Sequence, residues 1–513
     1  MVPAEDLAVA QRAEERNRRD ALLGPAVPAD ASSIGRLLLT SASRTTTLPD
    51  PPRQTGLVHG SRTYDIVIIG SGIAGSISAA ILAKHGLKTL ILDAGQHPRF
   101  SIGEAMTPES GLLLRLLAQR FGIPELAFIA SPEQIVRHIG SSACGIKLAF
   151  SFALARCRRG QRCRACRRPA AGRSGGPPVS PGHRLYALLL ALQHGANARH
   201  HTRIEGFEFL PEGVTIRLAD GESLQARYVI DAAAQGSPLA RQLGVRTTDG
   251  LATHTCSFFT HMLNVKAYEE VASNTDQSPI PLFQSTLHHI FEEGWLWIIP
   301  FDNHSESTNR LCSVGFQYNC LKYQPSGTPE QEFSRLLDRY PSIARHFTER
   351  PRSVTVHAPR LNYRSRTILG ERFCLLAQAA GFIDPLFSRG LITTFESILR
   401  LMPRLIDAVR QDHWQLDRFA SVERHLRNAV AVNDRLVSCS YELSATSRCG
   451  TPGIASGSAV RTSEAPIWVA CCRHSATASP ARRSMPTSSR RAAPATCRST
   501  PPDTRTSSKA PVG

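Results

Sequence analysis

A chain of 513 residues has room for one large α/β domain with an appended lobe, or for two or three smaller domains. Its formal charge of +18 suggests a polyanionic partner, but the excess sits in two stretches: residues 156–184 hold nine arginines and no acid, and residues 443–513 hold nine arginines and one lysine against two acids. The rest is nearly neutral, which argues against nucleic acid as a partner, and no apolar run is long enough to cross a bilayer.

Residues 1–60 join a charged, helix-capable start to a run rich in Pro, Ser and Thr, and read as a disordered N-terminal extension. They lack the charged and apolar regions of a secretory signal, so the thirteen cysteines are expected in a reducing cytoplasm. At Tyr64 the pattern changes. Tyr64-Asp65-Ile66-Val67-Ile68-Ile69 fits a buried parallel strand, Gly70-Ser71-Gly72-Ile73-Ala74-Gly75 a glycine turn, Ser76 to His85 a helix and Lys88 to Leu92 a second strand. In this βαβ unit Gly70 permits the tight turn, Gly72 lets a pyrophosphate approach the backbone, and Gly75 allows the helix to pack closely. The helix N-terminus, with Ile73 and Ala74, offers amides and positive potential to phosphates. Asp93, 23 residues after Gly70, stands with Ala94 where a ribose hydroxyl is recognised. The fingerprint alone fits FAD or NAD.

Ser101 to Phe128 reads as mostly helical and Gly145 to Phe152 as a strand. Residues 153–184 are expected to be irregular. Leu185 to His194 resumes as an amphipathic helix, and a hairpin turns at Asp220-Gly221. Trp295 to Pro300 and Ser313 to Gln317 suggest a second, antiparallel sheet, Phe373 to Ala377 returns to the first, and Leu391 to Leu401 is helical. Residues 444–513 read as a disordered, low-complexity tail behind a body spanning 61–443. Both basic stretches have the composition of a GC-rich gene read out of frame. Permitted codons for residues 444–457, shifted by two bases, encode an aromatic-rich segment, so a frameshifted gene product is one reading of this chain. Cys157, Cys163, Cys166 and His183 lack the second close pair of a zinc site, and no metal is expected. His200-His201 and His288-His289 read as surface or packing residues.

Trp295-Leu296-Trp297-Ile298-Ile299-Pro300, downstream of the glycine turn, resembles the second signature of flavin-dependent halogenases, the turn being the first. Further segments carry the resemblance. Pro98-Arg99-Phe100 with Ile102-Gly103-Glu104-Ala105-Met106-Thr107-Pro108 is similar to the family's flavin-side GExxxP segment. Asp231-Ala232-Ala233 near Gly236 resembles a strand-end motif of FAD monooxygenase-like proteins, and Gly381 to Gly390, GFIDPLFSRG, the motif that meets the flavin late in the chain.

The resemblance implies an α/β fold: an FAD-binding Rossmann-like domain of the FAD-dependent monooxygenase type, an antiparallel substrate lobe and a partly helical C-terminal region. It implies FAD, delivered reduced as FADH2 by a separate flavin reductase, with chloride or bromide as co-substrate and a small-molecule or carrier-bound substrate of secondary metabolism. Arg99, Gly103, Glu104 and Asp384 would touch flavin, Asp384 at the ribityl chain. The Ser388-Arg389-Gly390 turn would hold halide through backbone amides. Trp295 and Trp297, two residues apart on one strand face, with Pro300, would wall the substrate off from the flavin. Lys147 would carry or hydrogen-bond hypohalous acid, its pKa lowered by desolvation. By residue type alone, an aromatic core strand, an edge-strand lysine and a loop that only holds flavin fit as well. The family often has Gly-Asp at Ala377-Gln378 and Gly at Ala234. Phe387 occupies the place of a glutamate in tryptophan halogenase-like enzymes, which implies the non-tryptophan type. A flavin hydroxylase or reductase without halide chemistry, or an inactive flavoprotein remnant, are the alternatives.

Overall fold

The computed structural model describes residues 63–97, 105–139, 143–155, 170–176, 181–271, 281–349 and 356–445, all within one compact unit. β1 (Thr63–Ile69), α1 (Ile73–Lys84) and β2 (Thr89–Leu92) form the expected βαβ unit, with β1 and β2 parallel. α1 shows no amphipathic stripe, and Ile73 to Leu82 are all buried. A helix apolar all round belongs inside, and α1 lies against α4, introduced below.

The helical stretch expected over 101–128 resolves into shorter pieces. α2 (Pro108–Phe121) starts behind Thr107, whose hydroxyl accepts from Ser110 N–H at 3.3 Å, and ends at Gly122 in the left-handed conformation. A 3₁₀ turn over Pro124–Ile129 and α3 (Pro132–Ile139) follow. β3 (Lys147–Leu154) then pairs antiparallel with β4 (Ala170–Gly176). The stretch expected to be irregular therefore holds a strand, and α4 (Pro181–Gln193) begins before its end. β4 is made of Ala, Gly, Arg and Ser, weak strand formers, so partner pairing overrides propensity here. Cys157, Cys163 and Cys166 lie outside the described residues, and among those described no His, Cys, Asp and Glu group is arranged to hold a metal.

β5 (Asn197–Arg199), β6 (Ile204–Leu210), β7 (Gly213–Leu218) and β8 (Ser223–Asp231) complete most of the first sheet, with the expected hairpin between β7 and β8. After α5 (Pro238–Gln242) and the short β9 (Arg246–Thr247) come β10 (Thr255–Met262), α6 (Tyr268–Val271), β11 (Ser285–Phe291), β12 (Gly294–Pro300) and β13 (Cys312–Asn319). α7 (Pro329–Arg339) and α8 (Pro341–Ala344) precede β14 (Val356–Ala358), β15 (Tyr363–Ser365), β16 (Leu369–Gly370), β17 (Phe373–Leu375) and β18 (Gly381–Phe382). α9 (Gly390–Gln411) and α10 (Ala420–Ala445) end the described chain. α9 continues ten residues beyond the expected Leu401, with Pro403 inside it. α10 crosses the expected boundary at 443.

The first sheet runs β16-β17-β8-β1-β2-β5, parallel from β17 through β5, with β7 and β6 beside the start of β8. The second runs β14-β10-β13-β12-β11-β3-β4, antiparallel except where β3 and β11 lie parallel. One face of the second sheet buries Phe258, Leu296 and Phe316 under α7 and α8. Its other face, with Phe259, Trp295 and Trp297, meets Ile383 and Leu386 of the late loop and Val437 and Tyr441 of α10. Among the described residues no helix is long and apolar enough to span a membrane.

Among the non-glycine residues with positive φ, Ala234, Ala377 and Ser388 have φ of 51°, 52° and 51°. The two alanines stand where the resemblance has glycine, so the departures noted in the sequence fall at positions where a Cβ is strained. Ala234→Gly is expected to leave the fold unchanged and to raise stability by up to about 1 kcal/mol, the relief of strain exceeding the added entropy of the unfolded chain. Urea unfolding midpoints would check this.

Candidate active site

The glycine turn fits a dinucleotide. Gly70, at φ +95°, would bring a Cβ within 3.1 Å of Ala232 O, and a Cβ at Gly75 would fall 1.9 Å from Gly70 O. A Cβ at Gly72 meets nothing within 4 Å. Two glycines are thus required by the fold and the third opens the backbone to a ligand. Ile73 and Ala74 are buried in the first turn of α1. Asp93 follows β2 as expected, but its carboxylate also serves the turn: Oδ2 accepts from the N–H and the hydroxyl of Ser71, each at 2.6 Å, and Oδ1 from Gly95 N–H at 2.8 Å. Ala94 is exposed beside it, and Arg99, Gly103 and Glu104 lie outside the described residues.

Asp231, at the end of β8, accepts from Ala233 N–H, Leu239 N–H and the Ser237 hydroxyl. These bonds counter the burial that raises its pKa. Gln378, where the resemblance has an acid, donates from Nε2 to Gly390 O at 3.1 Å, and its amide also bonds Thr394. The uncharged side chain therefore fixes the start of α9, the element expected to face the flavin ring.

Asp384 lies in the late loop. It is 2 % exposed, and its oxygens accept from Leu386 N–H at 2.9 Å, the Thr255 hydroxyl at 3.3 Å and the Tyr441 hydroxyl at 3.4 Å. Burial raises its pKa to about 7. The loop's own N–H and two hydroxyls, from the second sheet and α10, hold the carboxyl in place.

Ser388 N–H donates to Pro385 O at 2.8 Å, so this amide is committed to the turn. Arg389 precedes the helix at its N-cap and Gly390 is the first residue of α9. The opening amides of a helix have no carbonyl ahead of them, which leaves this end able to serve an anion. The Arg389 charge bears on His425 of α10.

Lys147 is 1 % exposed. Its ammonium lies 3.6 Å from the centre of the Phe150 ring and donates to Ser388 Oγ at 3.4 Å, across 241 residues of chain. Burial alone lowers its pKa to about 7. A register shift in the β3–β4 ladder lies between Lys147 and Ala149, where a strand can re-aim a side chain.

Trp295 and Trp297 lie on one face, their ring centres 5.4 Å apart, both nearly fully buried. Trp297 Nε1–H donates to Ser313 Oγ at 3.1 Å, and Gly315 makes room for its ring. His288 extends the wall, with its ring 5.3 Å from Trp295 and 4.8 Å from Phe152. Burial, then the charge of Lys147, push its pKa down to about 3, so it is a neutral spacer. Pro300 ends β12 and is half-buried. Sequence reading did not single out His288, Thr255, Asn303 or Tyr441 as site residues. Tyr441 had a detectable signal, since Val422, Leu426, Val430, Val437 and Tyr441 follow the i, i+4 and i, i+7 spacing of one helix face.

The dinucleotide turn and the walled, desolvated lysine define a flavin-dependent oxidoreductase. Residues 190–451 match the family model described as tryptophan halogenase, and residues 68–121 that of an NAD(P)-binding Rossmann-like domain. The chain is 42 % identical over 407 residues to tetracycline 7-halogenase of Kitasatospora aureofaciens, covering 75 % of this chain and 70 % of that protein. It is 38 % identical over 390 residues to monodechloroaminopyrrolnitrin halogenase PrnC of Pseudomonas fluorescens, covering 75 % and 68 %. Among solved structures, halogenase PltM in complex with phloroglucinol and FAD is 56 % identical, with a TM-score of 0.71, covering 74 % of this chain and 77 % of that one. The chain belongs to the tryptophan halogenase family, and it is an FAD-dependent halogenase that uses reduced FAD and halide.

Two outcomes follow for variants. Gly75→Ala is expected to lower thermal stability because its Cβ meets backbone, whereas Gly72→Ala keeps the melting temperature and weakens FAD binding by roughly tenfold or more, about 1.4 kcal/mol; melting curves and fluorescence titration would separate them. Lys147→Met should stabilise the apoprotein by a few kcal/mol at pH 7 and below, where the buried amine must otherwise be charged. With a folded pKa of about 7 below the usual 10.5, that gain shrinks as pH rises between those values, as denaturant titrations across pH would show.

Proposed function

We propose that this enzyme halogenates an electron-rich ring of phenol type, as a free small molecule, with Lys147 handing over the halogen. The observation that carries this is Lys147 itself: an amine buried to 1 % exposure, held between the Phe150 ring and Ser388, on the wall side of the second sheet. Bound reduced FAD, with O2, supplies the oxidation of halide to hypohalous acid. Arg389 and Gly390 amides hold the chloride or bromide, Asp93 steadies the phosphate turn, and the Trp295–Trp297 wall keeps the organic ring away from the flavin. Above pH 7 the neutral amine takes the electrophilic halogen, releasing water, and the ring carbon then takes it from nitrogen while losing a proton.

The phenol class is supported by Phe387, which gives no carboxylate where tryptophan halogenase-like enzymes have one, and by the phloroglucinol bound in the PltM crystal structure. A separate flavin reductase supplies the reduced cofactor, and the enzyme works in the cytoplasm. Incubating the full chain with reduced FAD, O2, bromide or chloride and a panel of phenols, pyrroles and tryptophan should give phenols heavier by one halogen. Lys147→Ala should lose at least about 100-fold in turnover while retaining FAD, since a covalent carrier has no substitute. Oxygenated products without halogen would overturn the proposal.

A further inference from the structure

Asn303 is buried, 2 % exposed, in the segment that follows the tryptophan wall. Its side-chain amide bonds both main-chain groups of Ile146, the residue before Lys147: Oδ1 accepts from Ile146 N–H at 2.7 Å and Nδ2 donates to Ile146 O at 2.6 Å. The second proton of Nδ2 goes to Phe283 O at 3.0 Å, and Gln284 Nε2 donates to the main-chain oxygen of Asn303 at 2.9 Å. The one amide thus acts as an extra ladder rung at the leading ends of β3 and β11, the parallel pair, and ties both to the chain leaving β12. Gly145 shows how close the contact is. A Cβ there would fall 2.6 Å from Pro300 O and 2.9 Å from Asn303 Oδ1.

Among the described residues the hydrogen bonds of Asn303 run to Ile146, Phe283 and Gln284 rather than to Ser388 or the glycine turn, so its part in the chemistry described above is indirect. The segment before β3 is also tied by His304 to Cys144 O and by Asn309 to Ala143 O, but Asn303 holds the residue next to the lysine, which lies at the first residue of β3, beside the register shift. An error of 1 Å at a reacting group suffices to change rates by about 100-fold. We propose that Asn303 is a positioning residue that fixes Lys147 against the wall strand, so that the halogen arriving at the amine is transferred to the organic ring rather than released. The proposal rests on the reading of Lys147 given above. It also accounts for the residue type: an aspartate would set a carboxylate against two carbonyl oxygens, and a serine lacks the second donor.

The test uses the full chain with FAD, a reductase, bromide and a phenol substrate, and partitions oxidising equivalents between brominated substrate and a soluble hypobromite trap. Asn303→Ala is expected to keep FAD affinity and substrate KM within about twofold, to lower kcat for bromination at least tenfold, and to raise the trapped fraction several-fold. The pH midpoint of kcat should move upward, because a lysine relaxing toward water regains basicity. Gly145→Ala pushes on the same contact from the other side and should give the same three changes. If either variant folds and binds FAD yet keeps the wild-type partition and pH midpoint, the positioning role is overturned. Failure of both to show a cooperative unfolding transition assigns the clamp to folding alone and overturns it equally. The underlying reading fails separately, if wild type brominates nothing or Lys147→Ala retains wild-type turnover.

Discussion

Enclosing an amine among aromatic rings is the constraint around which this molecule is arranged. A charged lysine removed from water is costly, and here burial answers the cost by drawing the pKa of Lys147 to about 7, where the neutral form is available. The enclosure needs parts from distant segments: Phe150 from β3, Ser388 from the late loop, and His288 of β11, whose ring lies beside Trp295 of β12. Only a fold that sets the edge of a nucleotide-binding sheet against the face of a second sheet brings these together.

The wall is built by packing more than by polar contacts. Trp295, Trp297, Phe259 and Ile290 form one apolar cluster with Leu386 of the late loop and Val437 of α10. Within it, polar groups are placed to hold strands rather than to react. Asn362 accepts from Thr255 N–H at 2.7 Å and donates to Ile383 O at 2.6 Å, which joins β10 to the late loop. Asp434 accepts from Ala252 and Thr253 N–H, each at 2.9 Å, which joins α10 to the entry of β10. Buried groups satisfied in this way fix a unique arrangement, and a close-packed partition transmits any displacement to its neighbours.

Much of this was legible in the chain. The βαβ unit was readable because period, glycine spacing and the position of Asp93 agree, and the structure shows Gly70 and Gly75 in close backbone approaches and open space at Gly72. The two tryptophans share a face because strand alternation leaves no other choice. What was not legible depends on long-range pairing. β4 has no apolar alternation and exists because β3 offers it a ladder. The partners of Asp384, Thr255 and Tyr441, stand 129 and 57 residues away in sequence, and no local pattern points to them. Asn303 carries no motif at all, since an amide replacing a strand rung is visible only once its partners are in place. The helical C-terminal region was expected from the resemblance and α10 bears it out, though Asp434 interrupts its apolar stripe and hides its bounds.

The last turns of α10 bear a consequence of their own. Tyr441 closes over the cluster with its hydroxyl toward Asp384 and in reach of the Trp295 indole, while its main-chain oxygen receives Lys322 at 2.8 Å. This phenol is a keystone: it comes late in synthesis, yet both leaves of the chamber lean on it. The apolar cluster behind the two tryptophans is thus completed only after almost the whole folded body has left the ribosome, so an unfinished chain would form its βαβ unit before this cluster closes.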